Sequence, residues 1–172
     1  MIGTSATVRP AGASKACRGS NADPVTTIEA EFKSIEGRFT CEVHWGDCDP
    51  AGIIFYPTYF RWFDAATWNF FAQVGYDVKR MRAEDLAMPL VSANCEFRAS
   101  PVHGDRCEVL SRVLRWGGKS FVLSHRVMRN DDTLLAEGSE TRVWTRRVGG
   151  PGGPMKGQSI DDELKMLFRA QP

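Results

Sequence analysis

The sequence predicts an α+β protein in which a curved antiparallel sheet of about five strands wraps around one long central helix. Two observations predict this fold class. Residues 57–74 form a helix-length segment that is apolar on nearly every face, as expected for a helix that is buried all round. Segments in which apolar and polar residues alternate come once before this helix and four times after it. Short turns separate the later ones, a pattern typical of antiparallel strands.

The first strand and the start of the central helix follow from local chemistry. Every second residue from Phe39 to Trp45 is apolar, so a half-buried strand is expected over residues 38–45. The stretch Asp49-Pro50-Ala51-Gly52 has Asp, Pro and Gly at the first, second and fourth positions of a type I turn. Pro57 suits the first turn of a helix, because the N–H that it lacks would have no intrahelical partner.

The remaining elements are expected to form a meander, in which consecutive strands are neighbours. A Gly- and Pro-rich segment at 149–158 is interpreted as a flexible connector, and Ser159 to Asp162 resembles the start of a short C-terminal helix. The expected elements between the central helix and this connector are a short helical segment at 77–85 and strands at 90–99, 106–116, 119–129 and 133–146.

Length and composition indicate one domain with an extension. The chain has 172 residues, which is enough to bury a substantial core. Residues 1–27 are rich in Ala, Ser, Thr and Gly, so they cannot bury enough surface to offset their ordering entropy. We therefore expect a disordered N-terminal extension over 1–27 and a single domain over 28–172.

Charge and cysteine content restrict the partners and the compartment. Lys and Arg total 22 against 21 Asp and Glu, so no overall field favours nucleic acid or an anionic membrane. The five cysteines form no Cys-x-x-Cys pair and are odd in number, which favours a reducing, cytoplasmic setting. No stretch approaches the ~18 apolar residues that span a bilayer.

Asp49 is a candidate catalytic residue, although an Asp in such a turn ordinarily serves to hydrogen-bond the backbone two residues on. Its position between a strand and a buried helix suggests a second role. The N–H groups and dipole of a helix N-terminus favour negative charge, and they can hold the oxyanion that develops during acyl transfer. A carboxylate beside such a site can act as a nucleophile or as a base.

Other residues near the turn are weaker candidates. Cys48 lies between two carboxylates, whose negative charge disfavours a thiolate, and no histidine is paired with it locally. Asp47, Asp49 and His44 lack a recognised metal-ligand spacing, so no metal is expected.

Asp64 and Lys119 are candidate ligand-binding residues. Asp64 lies within the aromatic helix, where an ionised carboxylate is costly unless paired. Its partner could be Arg61, Arg115 or Arg126, or it could face a pocket and accept a hydrogen bond from a ligand; the residues alone leave both open. Lys119 follows two glycines, which allow close approach of a phosphate.

The stretches GDCDPAGIIFYPTYFRWFDAA, PLVSANCEF and RWGGKSFVLSH resemble the 4-hydroxybenzoyl-CoA thioesterase family of the hot-dog superfamily. The similarity covers roughly residues 38–146. It implies a hot-dog fold, assembled as a homodimer or homotetramer with active sites at the dimer interface. The implied partner is an acyl-CoA substrate, so coenzyme A enters as part of the substrate and not as a cofactor.

The resemblance also implies roles for individual residues. Asp49 matches the catalytic carboxylate, and Tyr56 matches the residue whose backbone N–H polarises the thioester carbonyl. Asp64 matches the residue that meets the aromatic hydroxyl of the substrate, and Lys119 matches one of the residues that bind the nucleotide phosphates. Met88 occupies a substrate-binding position where the family has a small polar residue, which favours a less polar acyl group.

The resemblance therefore predicts hydrolysis of an aromatic acyl-CoA to the free acid and coenzyme A. Gly117 and Gly118 stand where the family has two arginines, so part of the phosphate clamp is absent and weaker binding of coenzyme A is expected. Two alternatives stay open: a hot-dog module that binds acyl-CoA without turnover, and a thioesterase for short or medium aliphatic chains. A hydratase ranks last, because no histidine lies in the Asp49 turn to pair with the acid.

Overall fold

The computed structural model describes residues 33–150 and 152–170. Residues 1–27, the predicted extension, lie outside this range. The described chain contains a five-stranded antiparallel sheet, a three-stranded antiparallel sheet and three α-helices. The α-helices are α1 (Pro57–Gln73), α2 (Val78–Ala83) and α3 (Asp162–Leu167). The strands are β1 (Gly37–Glu42), β2 (Leu86–Ala87), β3 (Leu90–Phe97), β4 (Arg106–Trp116), β5 (Ser120–Arg129), β6 (Leu134–Val143), β7 (Thr145–Arg147) and β8 (Met155–Gly157).

The central helix α1 packs along the inner face of the larger sheet, as predicted. Phe63 and Phe70 are fully buried, and each aromatic ring removed from water stabilises the fold by roughly 2–3 kcal/mol. The Phe63 ring stacks on His125 of β5 with 4.6 Å between ring centroids. The helix is not buried all round, because Arg61 and Asp64 are exposed. Thr67, the next polar residue along the helix, is buried.

The larger sheet has the strand order β1-β4-β5-β6-β3. The predicted meander is confirmed for β4, β5 and β6, which are neighbours joined by short turns. It is wrong for β3, which pairs with β6 and not with β4. The reason is the segment between β3 and β4, which crosses to the far side of the sheet so that β4 can pair with β1. Within the described residues, β3 is paired along one edge only.

The predicted strand over 133–146 is two strands. β6 ends before Trp144, whose N–H donates to the Lys119 carbonyl at 2.8 Å and whose carbonyl accepts from Gln158 at 2.9 Å. The chain then enters the smaller sheet, in which β7 lies between β2 and β8. The interpretation of 149–158 as a flexible connector is therefore wrong for Met155–Gly157, which is paired with β7.

The two ends of α1 lie in separate parts of the core. Trp62 and Phe63 pack with Val43, Val109 and Val127, whereas the rings of Phe70 and Phe71 lie 4.9 Å and 4.7 Å from that of Phe168. Phe168 follows α3, which therefore covers the C-terminal end of α1. This helix begins two residues later than the predicted capping box from Ser159 to Asp162 indicates. The N-cap residue is Asp161, whose side chain accepts from the Leu164 N–H at 2.8 Å.

The first strand ends earlier than predicted. β1 ends at Glu42, and Trp45, predicted to face the core, is 78% exposed at the start of a 3-10 turn over Trp45–Asp47. Across the described ranges, no helix has the length and apolar character needed to cross a membrane.

Candidate functional site

Asp49 lies in a closed turn just before α1. The Gly52 N–H donates to the Asp49 carbonyl and the Asp49 N–H donates to the Ile53 carbonyl, both at 2.9 Å. Gly52 has φ +79°, a conformation that favours glycine. The side chain also forms the hydrogen bond expected of a turn aspartate, because the Ala51 N–H donates to Oδ1 at 2.8 Å. This bond uses one carboxylate oxygen, and Oδ2 accepts no hydrogen bond from the described residues.

Asp47 ties this turn to the helix. Its Oδ1 accepts from Arg61 Nη2 of α1 at 2.7 Å, and its Oδ2 accepts from the His44 N–H at 3.0 Å. Its carbonyl accepts from the Phe55 N–H at 2.7 Å. Asp47 thus contacts the chain on both sides of the turn and fixes the turn relative to the N-terminus of α1.

The N-terminus of α1 offers a free backbone donor. Tyr56 is the N-cap residue and Pro57 is the first helical residue. In the described structure no acceptor receives the Tyr56 N–H, and the residue is exposed. A free N–H at a helix N-terminus, supported by the helix dipole, is suited to a carbonyl oxygen or an anion. Asp49 and the Tyr56 N–H therefore lie at the same end of α1.

Asp64 faces solvent on the same side of the helix as Pro57. The two residues are seven positions apart, which corresponds to about two turns and roughly 10 Å along the axis. The Asp64 side chain is 54% exposed, and its Oδ1 accepts from Arg142 Nη2 of β6 at 2.7 Å. Arg142 is thus the partner of Asp64, in place of the three arginines expected from sequence. Arg61, the local candidate, pairs with Asp47 instead.

Arg142 belongs to a buried polar network between α1 and the sheet. Its Nε donates to Glu140 Oε2 at 2.9 Å, and Thr67 Oγ1 donates to the same oxygen at 3.0 Å. His125 Nε2 lies 3.5 Å from Glu140 Oε2, and His125 Nδ1 shares a hydrogen bond of 2.9 Å with Ser111 Oγ. Burial alone would raise the pKa of Glu140, but the adjacent His125 and the hydrogen bond and charge of Arg142 lower it to about 2. Glu140 is therefore an ionised, buried carboxylate.

This network was not predicted from the sequence, although the spacing of its charged residues along β5 and β6 indicates it. His125 lies between Leu123 and Val127 at positions that alternate toward the core. Glu140 and Arg142 have the same spacing along β6. Charged residues in register with inward-facing positions of a strand indicate a buried polar site, because unpaired charges are not tolerated there.

Met88 and Lys119 lie in different surroundings from Asp49. Met88 is 2% exposed in the core, and its carbonyl accepts from Arg142 Nη1 at 3.2 Å. Lys119 is exposed in the turn between β4 and β5. That turn lies near the C-terminal end of α1, since the Phe121 ring is 5.1 Å from that of Phe71. A helix of 17 residues is about 25 Å long, so within one chain Lys119 and Asp49 are at opposite ends of it.

Cys48 has no features of an activated nucleophile. Its Sγ donates a weak hydrogen bond of 3.8 Å to the His44 carbonyl, and among the described residues no imidazole nitrogen hydrogen-bonds to it. Among the residues that the structure describes, no group of three or more His, Cys, Asp and Glu side chains is arranged to hold a metal ion. Two surface depressions of about 420 and 530 Å³ lie on the face of the sheet away from α1, and none of the candidate residues lines either.

Comparison with known proteins decides the family. The family model described as the thioesterase-like superfamily matches residues 43–166. The chain belongs to the thioesterase-like superfamily. Its sequence is 34% identical over 114 residues to the 4-hydroxybenzoyl-CoA thioesterase of Pseudomonas sp. strain CBS-3, covering 62% of this chain and 81% of that protein.

Solved structures of thioesterases in this superfamily share the fold. The 4-hydroxybenzoyl-CoA thioesterase structure from Pseudomonas sp. strain CBS-3 superposes with a TM-score of 0.69 at 29% identity, covering 77% of this chain and 98% of that one. A gentisyl-coenzyme A thioesterase superposes with a TM-score of 0.65 at 27% identity, covering 76% and 98%. The predicted hot-dog fold, a sheet wrapped around the central helix, is thereby confirmed.

Proposed function

We propose that this acyl-CoA thioesterase of the hot-dog family hydrolyses aromatic acyl-CoA esters of the 4-hydroxybenzoyl type to the free acid and coenzyme A, with Asp49 as the catalytic carboxylate. The observation that supports this most is the arrangement at the start of α1. There a turn holds the Asp49 carboxylate by one oxygen, and the Tyr56 N–H has no partner within the described chain.

The chemistry assigned to these groups is acyl transfer. The Tyr56 N–H donates to the thioester carbonyl oxygen, and the helix dipole stabilises the negative charge that develops on it. The free oxygen of Asp49 attacks the carbonyl carbon or takes a proton from the water that does so. The C–S bond then breaks, and coenzyme A leaves as the thiolate. Where Asp49 itself attacks, this step leaves an anhydride between Asp49 and the acyl group, which water then hydrolyses to the free acid and the Asp49 carboxylate. Arg61 and Asp47 support this site by fixing the turn against α1.

The acyl group lies along α1 between Tyr56 and Asp64 in this proposal. The roughly 10 Å along the helix axis that separates the helix start from Asp64 accommodates one aromatic ring. A carboxylate at the far end suits a hydroxyl donor on the ring. Met88 is buried in an apolar cluster of the core, and we assign it to the apolar boundary of the acyl site.

Lys119 is assigned to the phosphates of coenzyme A. Because it lies at the opposite end of α1 from Asp49, we assign it to coenzyme A bound at the site of a partner chain. The open edge of β3 supports such a partner: Val91 is 63% exposed and Phe97 is also exposed. An unpaired, apolar edge strand is a template for pairing with another strand. We therefore propose a homodimer in which two β3 strands pair, with sites shared across the interface; a homotetramer would pair two such dimers.

The proposal is tested with Asp49→Asn. This change keeps an oxygen for the Ala51 N–H, so the turn is retained, but it removes the charge. We expect kcat to fall by about 10²–10⁴, the usual contribution of a positioned acid or base. Thiol release would be followed spectrophotometrically with benzoyl-, 4-hydroxybenzoyl-, phenylacetyl- and straight-chain acyl-CoAs. The control is Asp132→Asn, an exposed turn aspartate with φ +64°, which should leave kcat unchanged.

Each outcome separates the alternatives. Turnover of aryl substrates that Asp49→Asn abolishes supports the proposal. Wild-type turnover by Asp49→Asn contradicts the role of Asp49, and turnover of aliphatic chains alone contradicts the aryl substrate. Binding of coenzyme A esters without any thiol release would make the protein a binding module.

A further inference from the structure

The exposed carboxylate of Asp64 is connected to the buried interior through Arg142. The Arg142 side chain is 3% exposed and that of Glu140 is 1% exposed, whereas more than half of the Asp64 side chain is accessible. The contacts therefore run from a fully buried acid, through a buried cation, to an acid at the surface. Burying these charges costs desolvation energy, and a protein in which apolar residues replace a buried ion pair is often as stable as the original. Stability alone does not account for it.

The guanidinium of Arg142 is held by acceptors on three separate segments. Its Nε donates to Glu140 on β6, its Nη1 to the carbonyl of Met88 before β3, and its Nη2 to Asp64 on α1. The planar fork of arginine presents its donors in fixed directions. Once Nε and Nη1 are engaged, the direction of Nη2 is set, and with it the position of the one Asp64 oxygen that accepts from it.

The other Asp64 oxygen remains available. Oδ1 accepts from Arg142 at 2.7 Å, and no described residue donates to Oδ2. An exposed Asp on a helix surface ordinarily samples several rotamers. Here one rotamer is stabilised by a charge-assisted hydrogen bond to a buried donor, which leaves a single acceptor atom in a defined place.

We propose that Arg142 is a positioning residue that fixes Asp64 to receive a hydrogen-bond donor at the distal end of the acyl group, and that Glu140 fixes Arg142 in turn. The inference rests on the proposed function in that the ligand is a ring-hydroxylated acyl group. It adds that discrimination between hydroxylated and plain rings depends on residues that do not touch the ligand. Asp64 alone, without the buried cation, would not discriminate to the same extent.

The test measures binding preference rather than turnover. The probes are 4-hydroxyphenacyl-CoA and phenacyl-CoA, thioethers that cannot be hydrolysed, with Kd measured by calorimetry for the full-length chain. We expect the wild type to bind the hydroxylated probe at least tenfold more tightly. Arg142→Gln should bring that ratio to below threefold while changing the Kd of phenacyl-CoA by less than threefold. Asp64→Ala should have the same effect, and the double variant should lose no further preference.

Removing a buried cation can unfold the chain, so two further variants are included. Arg142→Lys retains the charge but not the fork, and an intermediate preference is expected. Glu140→Gln with Arg142→Gln removes both buried charges together, and the preference should again be lost. Arg80→Gln removes an exposed guanidinium that pairs with Glu84 at 2.7 Å on α2; this control should keep the wild-type ratio.

The results distinguish this inference from the proposed function. A wild-type preference that persists in folded Arg142→Gln or in the doubly neutral variant overturns the positioning role, whatever the turnover. Equal binding of both probes by the wild type overturns the role of Asp64 as well, but leaves hydrolysis by Asp49 standing. Loss of turnover in Asp49→Asn with preference intact supports both.

Discussion

Replacing Glu140 by Gln should destabilise the protein by an amount that depends on pH. In the folded chain the Glu140 carboxylate accepts from Thr67 and Arg142 and lies against His125. Despite burial, which opposes ionisation, the pKa of Glu140 is lowered from 4.5 to about 2. At 1.36 kcal/mol for each pKa unit, the ionised carboxylate stabilises the folded state by about 3 kcal/mol at pH 7.

The sign of the pH dependence follows from the lowered pKa. Between pH 4.5 and about 2 the unfolded chain binds a proton at Glu140 that the folded chain does not. The stabilisation is therefore complete above pH 4.5 and is lost as the pH falls toward the folded value. Since Gln does not titrate, the difference in free energy of unfolding between wild type and Glu140→Gln should narrow by about 1.4 kcal/mol from pH 7 to about pH 3.5.

Urea unfolding followed by tryptophan fluorescence at several pH values between 7 and 3.5 measures this difference. Glu137→Gln is the matched control, because Glu137 is on the same strand but pairs with Arg98 at the surface. Glu137→Gln should change the free energy of unfolding by less than about 0.5 kcal/mol, as is usual for exposed ion pairs. A difference for Glu140→Gln that is below 1 kcal/mol at pH 7, or that is the same at both ends of the pH range, would refute the reasoning.

Three other predictions concern the packing of β6 against β3, the Cys48 thiol and the open edge of β3. A Cβ at Gly138 would overlap a carbonyl oxygen of β3, whereas one at Gly118 meets nothing. In urea unfolding, Gly138→Ala should lower the free energy of unfolding by more than about 2 kcal/mol, and Gly118→Ala should lower it by less than about 0.5 kcal/mol. Equal losses would contradict the close approach of β3 to Gly138. Cys48→Ser should keep kcat within about twofold of the wild-type value. A hundredfold loss of kcat would instead indicate that the Cys48 thiol is the nucleophile. Val91→Lys should shift the protein toward monomer in analytical ultracentrifugation, while Val78→Lys on α2 should not; an unchanged dimer in both would place the interface elsewhere.

The parts of the fold that sequence predicts are those determined by local chemistry. The Asp49 turn and the start of α1 depend on Pro and Gly residues whose backbone preferences act within a few positions. The position of β3 beside β6 was not predicted, because strand order depends on pairing between residues that are 39 to 52 positions apart. Likewise, the short turns correctly indicate antiparallel neighbours for β4, β5 and β6, but no turn joins β3 to its partner.

The site shows the same division. The positions of Asp49 in its turn and of Tyr56 at the start of α1 could be predicted from the turn chemistry and from the resemblance to a known family, and their catalytic roles stay predictions. The partner of Asp64 could not be predicted, because helix spacing favours Arg61 and no spacing rule ranks the arginines on distant strands. Arg61 is at the favourable i−3 position on the helix, yet the loop brings Asp47 closer to it. Which cation meets which acid is a tertiary property.

The packing of aromatic residues around α1 has a consequence for synthesis of the chain. α1 is translated before β4, β5 and β6, which supply Val109, Val127 and Leu135 to the core around it. At about 5–20 residues per second, the 70 residues from the end of α1 at Gln73 to the end of β6 at Val143 take about 3.5–14 s to appear. During that interval a helix rich in Phe and Trp has no sheet to cover it. A nascent chain stalled after residue 105 should therefore bind cellular chaperones that recognise apolar segments, and should release them once β6 has emerged.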